Sequence, residues 1–356
     1  MILDETQEKI IKATEPEILV LSGAGSGKTR VLTERIRYLI EKGENPNKMV
    51  AITFTNNAAE EMKQRLGNIV EDMFIGTIHS YANKILLNSG INTSEIIASE
   101  NFDELFSLIE NNYNFLNLPE VDCLLVDEFQ DTDENQMTFF FVFLRPKKFF
   151  FVGDDAQSIY SFRGANPQLF LNLIEDPSVT TYIMENNYRS GYEILTFANG
   201  FLSSKNGKKK IIPKANYSGK VIQLKTPDLL YISNKILEDK NFKEWMILTR
   251  SNGQVEEVQN FLKKKKIPFA SFKQGDLSLN EIKKIMEDDV VKVLTIHSAK
   301  GLESDNVAVI GARPTNDEER RVCYVAATRA RKLLIWCYNF ARKRNRTPAR
   351  MIDTWE

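Results

Sequence analysis

Ile18-Leu19-Val20-Leu21 runs almost directly into Gly23-Ala24-Gly25-Ser26-Gly27-Lys28-Thr29. The first stretch is apolar and of the length of a buried strand. The second is a complete GxxxxGK[ST] loop, and the residues after it, Thr29 to Lys42, form an amphipathic helical stretch. A strand that feeds a glycine-rich turn and then a helix builds a phosphate cradle. Backbone N–H groups and the helix N-terminus face the anion, Lys28 reaches the β- and γ-phosphates, and Thr29 is placed to hold Mg²⁺. The loop has a partner downstream. Leu124-Leu125-Val126-Asp127-Glu128-Phe129-Gln130-Asp131 is an apolar strand that ends in paired carboxylates. Asp127 would hold the metal, and Glu128 would orient or deprotonate an attacking water. Together the two motifs point to a nucleoside triphosphatase that uses Mg²⁺.

The chain has 356 residues, enough for two domains with a core each. Hydrophobic content of 42% and charged content of 27% are those of an ordinary globular protein. No apolar run reaches the length of a membrane span, and Met1-Ile2-Leu3-Asp4-Glu5 does not open a secretory signal. The three cysteines, Cys123, Cys323 and Cys337, lack metal-type spacing. They read as buried reduced thiols, which indicates a reducing, cytoplasmic setting. A net charge of −1 excludes a uniformly basic protein but not a narrow basic track for nucleic acid.

Strand-length apolar runs recur at 17–22, 49–54, 121–126, 148–153, 180–184, 245–249, 291–296, 306–310 and 332–337. Amphipathic stretches such as Thr29 to Lys42 and Asn57 to Leu66 lie between them. The alternation predicts an α/β fold with parallel sheets covered on both faces. Turn residues at Asp176-Pro177-Ser178 place a domain boundary there, giving domains 1–176 and 177–356. Residues 90–118, polar with a helical middle, read as a short insertion. The lysine runs Lys208–Lys210 and Lys263–Lys266 read as solvated helix ends or loops. The basic run Arg342-Lys343-Arg344-Asn345-Arg346 is compatible with phosphate contact and equally with a solvated helix.

Both histidines occupy a Thr-Ile-His-Ser sequence at the end of an apolar run, His79 after Thr77 and His297 after Thr295. Two histidines without clustered partners are weak metal ligands, whereas matched loop-tip positions suit a phosphodiester backbone. Aromatics interleaved with polar residues, Phe54 with Asn56 and Tyr160 with Phe162 and Arg163, are what a stacking groove for unpaired bases requires; core packing would also account for the aromatics. Arg189 and Arg329 could each stabilise a transferring phosphoryl group or simply form surface ion pairs.

At this point the residues resemble a family, the UvrD/Rep/PcrA-type superfamily 1 DNA helicases. The motifs are Leu3–Gln7, GAGSGKT at 23–29, TFTNNAAEEM at 53–62, GTIHS at 76–80, VDEFQD at 126–131, GDDAQSIYSFRGA at 153–165, NYRS at 187–190, TIHSAKGLE at 295–303 and YVAATRA at 324–330. The resemblance implies two tandem RecA-like domains with ATP·Mg²⁺ in a cleft and single-stranded DNA across both. It implies that Gln7 reads the adenine and that Arg30 and Tyr188 sandwich it. It assigns the phosphates to Gly23, Ala24, Gly25, Ser26, Gly27, Lys28 and Thr29, with Gly301 and Glu303 near ribose and phosphates. Gln157 senses the γ-phosphate, and Arg189 and Arg329 act as arginine fingers. The implied DNA set is Phe54, Asn56, Thr77, His79, Tyr160, Phe162, Arg163, Arg250, Asn252, Thr295 and His297. Movement is expected to run 3′ to 5′ on single-stranded DNA and at junctions with duplex, in repair, replication or recombination.

Departures from the family pattern are informative. Asn57 stands where Lys is usual, Ala156 where an acid is common, and Phe162 where Trp is frequent. Two large family insertions are reduced here, to about 90–118 and 268–290. That reduction leaves open a translocase that unwinds poorly alone, or a motor subunit of a larger repair, replication or defence complex. An RNA motor is disfavoured by family type alone.

Overall fold

The computed structural model describes residues 3–202, 211–273 and 275–338. Lys208–Lys210 and Arg342–Arg346 lie outside the described residues. The chain divides into two compact units, Met1–Ser22 with Gly27–Met184, and Glu185–Glu356 with Gly23–Ser26.

The first unit carries β1 (Glu17–Ser22), β2 (Met49–Thr53), β3 (Phe74–Thr77), β4 (Cys123–Val126), β5 (Lys148–Gly153) and β6 (Thr180–Met184). They form one sheet in the order β3-β2-β4-β5-β1-β6, and every pairing is parallel. Its helices are α1 (Glu5–Lys12), α2 (Lys28–Glu41), α3 (Asn56–Leu66), α4 (Ile78–Asn88), α5 (Ser94–Ser99), α6 (Glu104–Asn112), α7 (Glu134–Thr138) and α8 (Pro167–Glu175). Successive strand residues face opposite sides, so Ile18 and Val20 enter one core with Val31, Leu32 and Ile36. Leu19 and Leu21 enter the other with Phe129, Phe139 and Phe151. Burial on both faces is why these strands read as unbroken apolar runs. Since all strands run the same way, β1, β4 and β5 end along one edge, where ligands of such sheets bind.

The second unit has β7 (Asn186–Asn187), β8 (Ile212–Pro213), β9 (Lys220–Leu224), β10 (Trp245–Thr249), β11 (Phe269–Ala270), β12 (Val291–Thr295), β13 (Ser304–Ile310) and β14 (Ala330–Cys337). Six of them form a second parallel sheet, β11-β12-β10-β13-β14-β9. Its helices are α9 (Tyr192–Asn199), α10 (Leu229–Asp239), α11 (Asn252–Lys264), α12 (Leu279–Glu287) and α13 (Asp317–Ala327).

The division between units falls after Met184, beyond the Asp176–Pro177 turn, because β6 pairs with β1 and so belongs to the first sheet. Strands β3 and β9 escape the apolar-run reading: the first is short and contains Gly76, and the second is only partly buried at its sheet's edge. Residues 90–118 fold as α5, α6 and a 3-10 turn over Tyr113–Phe115, and 268–290 hold β11 and α12. Cys123, Cys323 and Cys337 are free and buried. Among the described residues no helix is long and apolar enough to cross a membrane.

Candidate nucleotide and nucleic-acid sites

The loop after β1 turns on Gly25 and Gly27, whose φ angles of +65° and +85° suit glycine. Ser26 Oγ donates to Gly23 O at 2.8 Å, closing the turn, and Lys28 opens α2. On the neighbouring strand end, Glu128 holds φ +53°, a left-handed conformation uncommon outside glycine. The carboxylates of Asp127 and Glu128 face this loop. Thr29 Oγ1 donates to Asp127 Oδ2 at 3.3 Å, and Lys28 Nζ stands 3.4 Å from Glu128 Oε1. Burial, and then the Glu128 charge, push the Asp127 carboxyl upward, while Lys28 pulls it down. A buried carboxylate held up in this way, next to a hydroxyl, is a set of hard oxygen donors that fits Mg²⁺. Among the described residues no group of three or more His, Cys, Asp or Glu could hold a metal, so phosphate and water would supply the remaining ligands.

Gln7 is buried and serves α1 as half of a capping box: Gln7 N donates to Asp4 Oδ1 at 2.7 Å and Gln7 Oε1 accepts from Asp4 N at 3.1 Å. Its Nε2 lies 3.1 Å from where a Cβ on Gly27 would stand, so the loop and this amide are close neighbours. Arg30 is half-buried in the first turn of α2.

From Glu128 a chain of hydrogen bonds runs into the protein. Gln130 Nε2 donates to Glu128 Oε2 at 2.5 Å, and Gln130 Oε1 accepts from Asp154 N at 2.8 Å. Gln157 Nε2 then donates to Asp154 Oδ2 at 2.6 Å, and Ser158 Oγ donates to Gln130 O at 3.1 Å. Gln130, Asp154, Gln157 and Ser158 are all buried. Gly153 makes room for this chain, since a Cβ there would lie 2.8 Å from Gln130 Oε1 and 2.7 Å from the Phe170 ring. Gln130 and Asp154 received no role from the sequence. The available signal was their type, polar residues just past buried strands inside the VDEFQD and GDDAQS segments.

Two residues beyond Ser158 the chain reaches the aromatics. Tyr160 is buried and stacks on Phe54 with centroids 5.0 Å apart, and Phe162 follows at 6.0 Å from Tyr160. Phe162 is 64% exposed. Asn56 is exposed in the first turn of α3. Thr77 caps α4, its Oγ1 accepting from Ser80 N at 3.2 Å. His79 packs against the insertion, with ring centroids 5.6 Å from Phe102 and 5.4 Å from Phe106. Burial lowers its pKa, and its Nε2 is buried without a hydrogen-bond partner.

The second unit repeats the threonine device: Thr295 Oγ1 accepts from Ser298 N at 3.2 Å at the end of β12, and His297 beside it is half-buried. Arg250 at the end of β10 grips the Glu319 carboxylate through Nε and Nη2, the latter at 2.6 Å, which raises its pKa. Asn252 is exposed at the start of α11. Arg189 forms an ion pair with Glu303, and its Nη1 donates to Thr328 O at 3.4 Å. Tyr188 OH accepts from Asn186 Nδ2 at 3.4 Å. Arg329 is buried, donating from Nε to Val325 O at 2.9 Å and from Nη1 to Leu302 O at 3.2 Å. Gly301, at φ +90°, turns the chain between these groups. The second unit thus brings Arg189, Glu303 and Arg329 together around the Leu302 and Thr328 backbone.

Comparison with known proteins follows the same two halves. The UvrD/REP helicase N-terminal domain matches residues 3–116 and 118–178, and the UvrD-like helicase C-terminal domain matches residues 182–287 and 273–340. A probable DNA helicase II homolog of Mycoplasma capricolum is 29% identical over 409 residues, covering 86% of this chain and 56% of that protein. The ATP-dependent DNA helicase PcrA of Staphylococcus epidermidis is 30% identical over 368 residues, covering 75% of this chain and 50% of that protein. A probable DNA helicase of Mycoplasma pneumoniae is 28% identical over 453 residues, covering 93% of this chain and 82% of that protein. The chain spans about half the length of the first two relatives. With both halves matched in order over nearly all of its length, the chain belongs to the UvrD-like helicase family.

Proposed function

We propose that this chain is an ATP-driven motor that moves along single-stranded DNA, 3′ to 5′, and displaces the strand ahead of it. The observation that carries the reading is the hydrogen-bonded chain Glu128–Gln130–Asp154–Gln157, buried from Gln130 onward, which links the carboxylate beside the phosphate loop to the segment bearing Tyr160 and Phe162. A triphosphate in the cradle draws Lys28 away from Glu128, leaving that carboxylate to accept the proton of the attacking water. Thr29 and Asp127 would hold Mg²⁺, which neutralises charge on the phosphates. Arg189, once it leaves Glu303, and Arg329 supply guanidinium charge to the transferring phosphoryl group. The change in what Glu128 bonds alters Gln130, and through Asp154 and Gln157 the position of the stacking aromatics. Gln7, Arg30 and Tyr188 hold the base. Thr77, His79, Thr295, His297, Asn56, Asn252, Arg250 and the aromatics hold the strand, and the His79 ring also packs on the insertion through Phe102 and Phe106. The bacterial relatives and the buried free thiols favour a cytoplasmic setting.

The test is phosphate release by the purified chain with and without single-stranded DNA, beside strand displacement from 3′-tailed and 5′-tailed duplexes. Stimulation by DNA and displacement from the 3′ tail support the reading; turnover indifferent to DNA, with no DNA bound, overturns it.

One observation favours a second reading, a translocase that separates duplex poorly alone. Residues 90–118 contain Glu95, Glu100, Asp103, Glu104 and Glu110 and no Lys or Arg. An insertion with only negative charge repels a phosphate backbone and cannot serve as a duplex-gripping arm. Rapid translocation with little strand displacement would select this reading.

A further inference from the structure

The second unit contains a cavity of about 710 Å³ that none of the motor residues touches. Its floor is aromatic. Phe197 and Phe201 line it and form a cluster with the buried Trp336, with centroids 5.1 to 5.3 Å apart. Val221, on the edge strand β9, supplies aliphatic wall. Gln223 and Trp336 are register partners on adjacent strands, so both point to this face of the sheet. The indole Nε1 of Trp336 is buried with no hydrogen-bond partner among the described residues, an unsatisfied donor behind the floor.

The rim carries charge of both signs. Arg320, half-buried on α13, lines one side and Glu193, exposed on α9, lines the cavity as well. Neither side chain forms an ion pair or hydrogen bond among the described residues. Nothing in the ATP or DNA chemistry uses them. The volume lies within the range of ligand pockets, about 300–1,000 Å³. An apolar hollow with a few convergent polar groups is the composition of a recognition site. An aromatic side chain suits the Phe197–Phe201 floor, because ring pairs gain more than area burial alone. The unpaired guanidinium calls for a carboxylate, and the unpaired Glu193 carboxylate for a cation.

We infer that this cavity docks a segment of a partner protein: an aromatic or large aliphatic side chain, flanked by an acid that meets Arg320 and a base that meets Glu193. The site lies apart from the phosphate loop and the stacking aromatics in sequence and uses none of their residues. Docking here therefore recruits the motor without occupying it.

The experiment is selection of a phage-displayed library of random dodecapeptides on the purified full chain, followed by affinity measurement with synthetic copies of the selected peptides. The expected consensus is an aromatic or Leu between an acid and a base. Arg320→Glu should weaken binding tenfold or more, and replacing the peptide's acid by Lys should restore it. Tyr192→Ala, on the exposed rim, should weaken binding less, and DNA-stimulated ATPase should be unchanged in both variants. Selected peptides without that pattern, or affinity indifferent to Arg320→Glu, would overturn the inference. So would 3-phenylpropionate binding as tightly as the peptides, which makes this a small-acid pocket. Self-association lost on Arg320→Glu would assign the cavity to a second copy and equally overturn it.

Discussion

Glu128 stands between two partners, Lys28 at 3.4 Å and Gln130 at 2.5 Å, and the two contacts predict different failures. Glu128→Gln removes the base and should lower DNA-stimulated turnover about 10²- to 10⁴-fold with ATP binding retained. Phosphate release and equilibrium nucleotide binding, measured on the same preparation, check this; turnover near wild type would defeat the assignment. Gln130→Ala leaves Lys28, Thr29 and Asp127 in place but cuts the link to Asp154. Basal ATPase should survive while its stimulation by DNA falls several-fold, a split that simple destabilisation would not produce. Phe162 and Tyr160 also separate. Phe162 is 64% exposed and Tyr160 2%. Phe162→Ala should therefore cost about 1–3 kcal/mol of single-strand affinity with little change in Tm, and the salt dependence of binding should be unaltered because no phosphate contact is lost. Tyr160→Ala should lower Tm as well.

Strand β12 contains the oddest burial in the second sheet. Lys292 is fully buried, its Nζ donating to Lys243 O, and burial lowers its pKa to about 8. The folded value lies below the unfolded one near 10.4, so the unfolded chain binds more protons between them. Stability from this group consequently rises as pH climbs from 8 toward 10.4, and below pH 8 the charged amine costs up to about 3 kcal/mol. Lys292→Met should abolish that rise and stabilise the protein at pH 7, less about 1 kcal/mol for the lost hydrogen bond. Urea midpoints of both proteins at pH 7 and 9.5 test this; parallel pH dependence would contradict it. Strand β5 makes the converse case. Gly153→Ala places a methyl against Gln130 and Phe170 and should destabilise by about 1–3 kcal/mol.

The two sheets share an economy that made much of the molecule predictable. Parallel strands buried on both faces are apolar along most of their length, so β1, β5 and β10 announce themselves as runs. The loop after β1 and the carboxylates after β4 are legible too. A turn at positive φ favours glycine, and paired acids at the end of a buried strand are costly unless a ligand uses them. Strand β9 was not legible, since at an edge it is half wet and carries Lys220 and Gln223. The pairing of Arg189 with Glu303 was equally hidden, since more than a hundred positions lie between them. The packing of the His79 ring on Phe102 and Phe106 was hidden for the same reason, since more than twenty positions separate the histidine from those aromatics.

What could be read from the order of amino acids was local chemistry: which segments bury, where a loop must turn on glycine, and which acids and cations wait at strand ends. Those properties depend on neighbours within a few positions, through backbone sterics and side-chain period. Folding settled which polar groups meet, including the hydrogen-bonded path from Glu128 to Gln157, the Glu303 partner of Arg189 and the cavity beside Arg320. Hydrogen bonds and ion pairs are short-ranged, and only packing brings such distant residues within about 3 Å of each other.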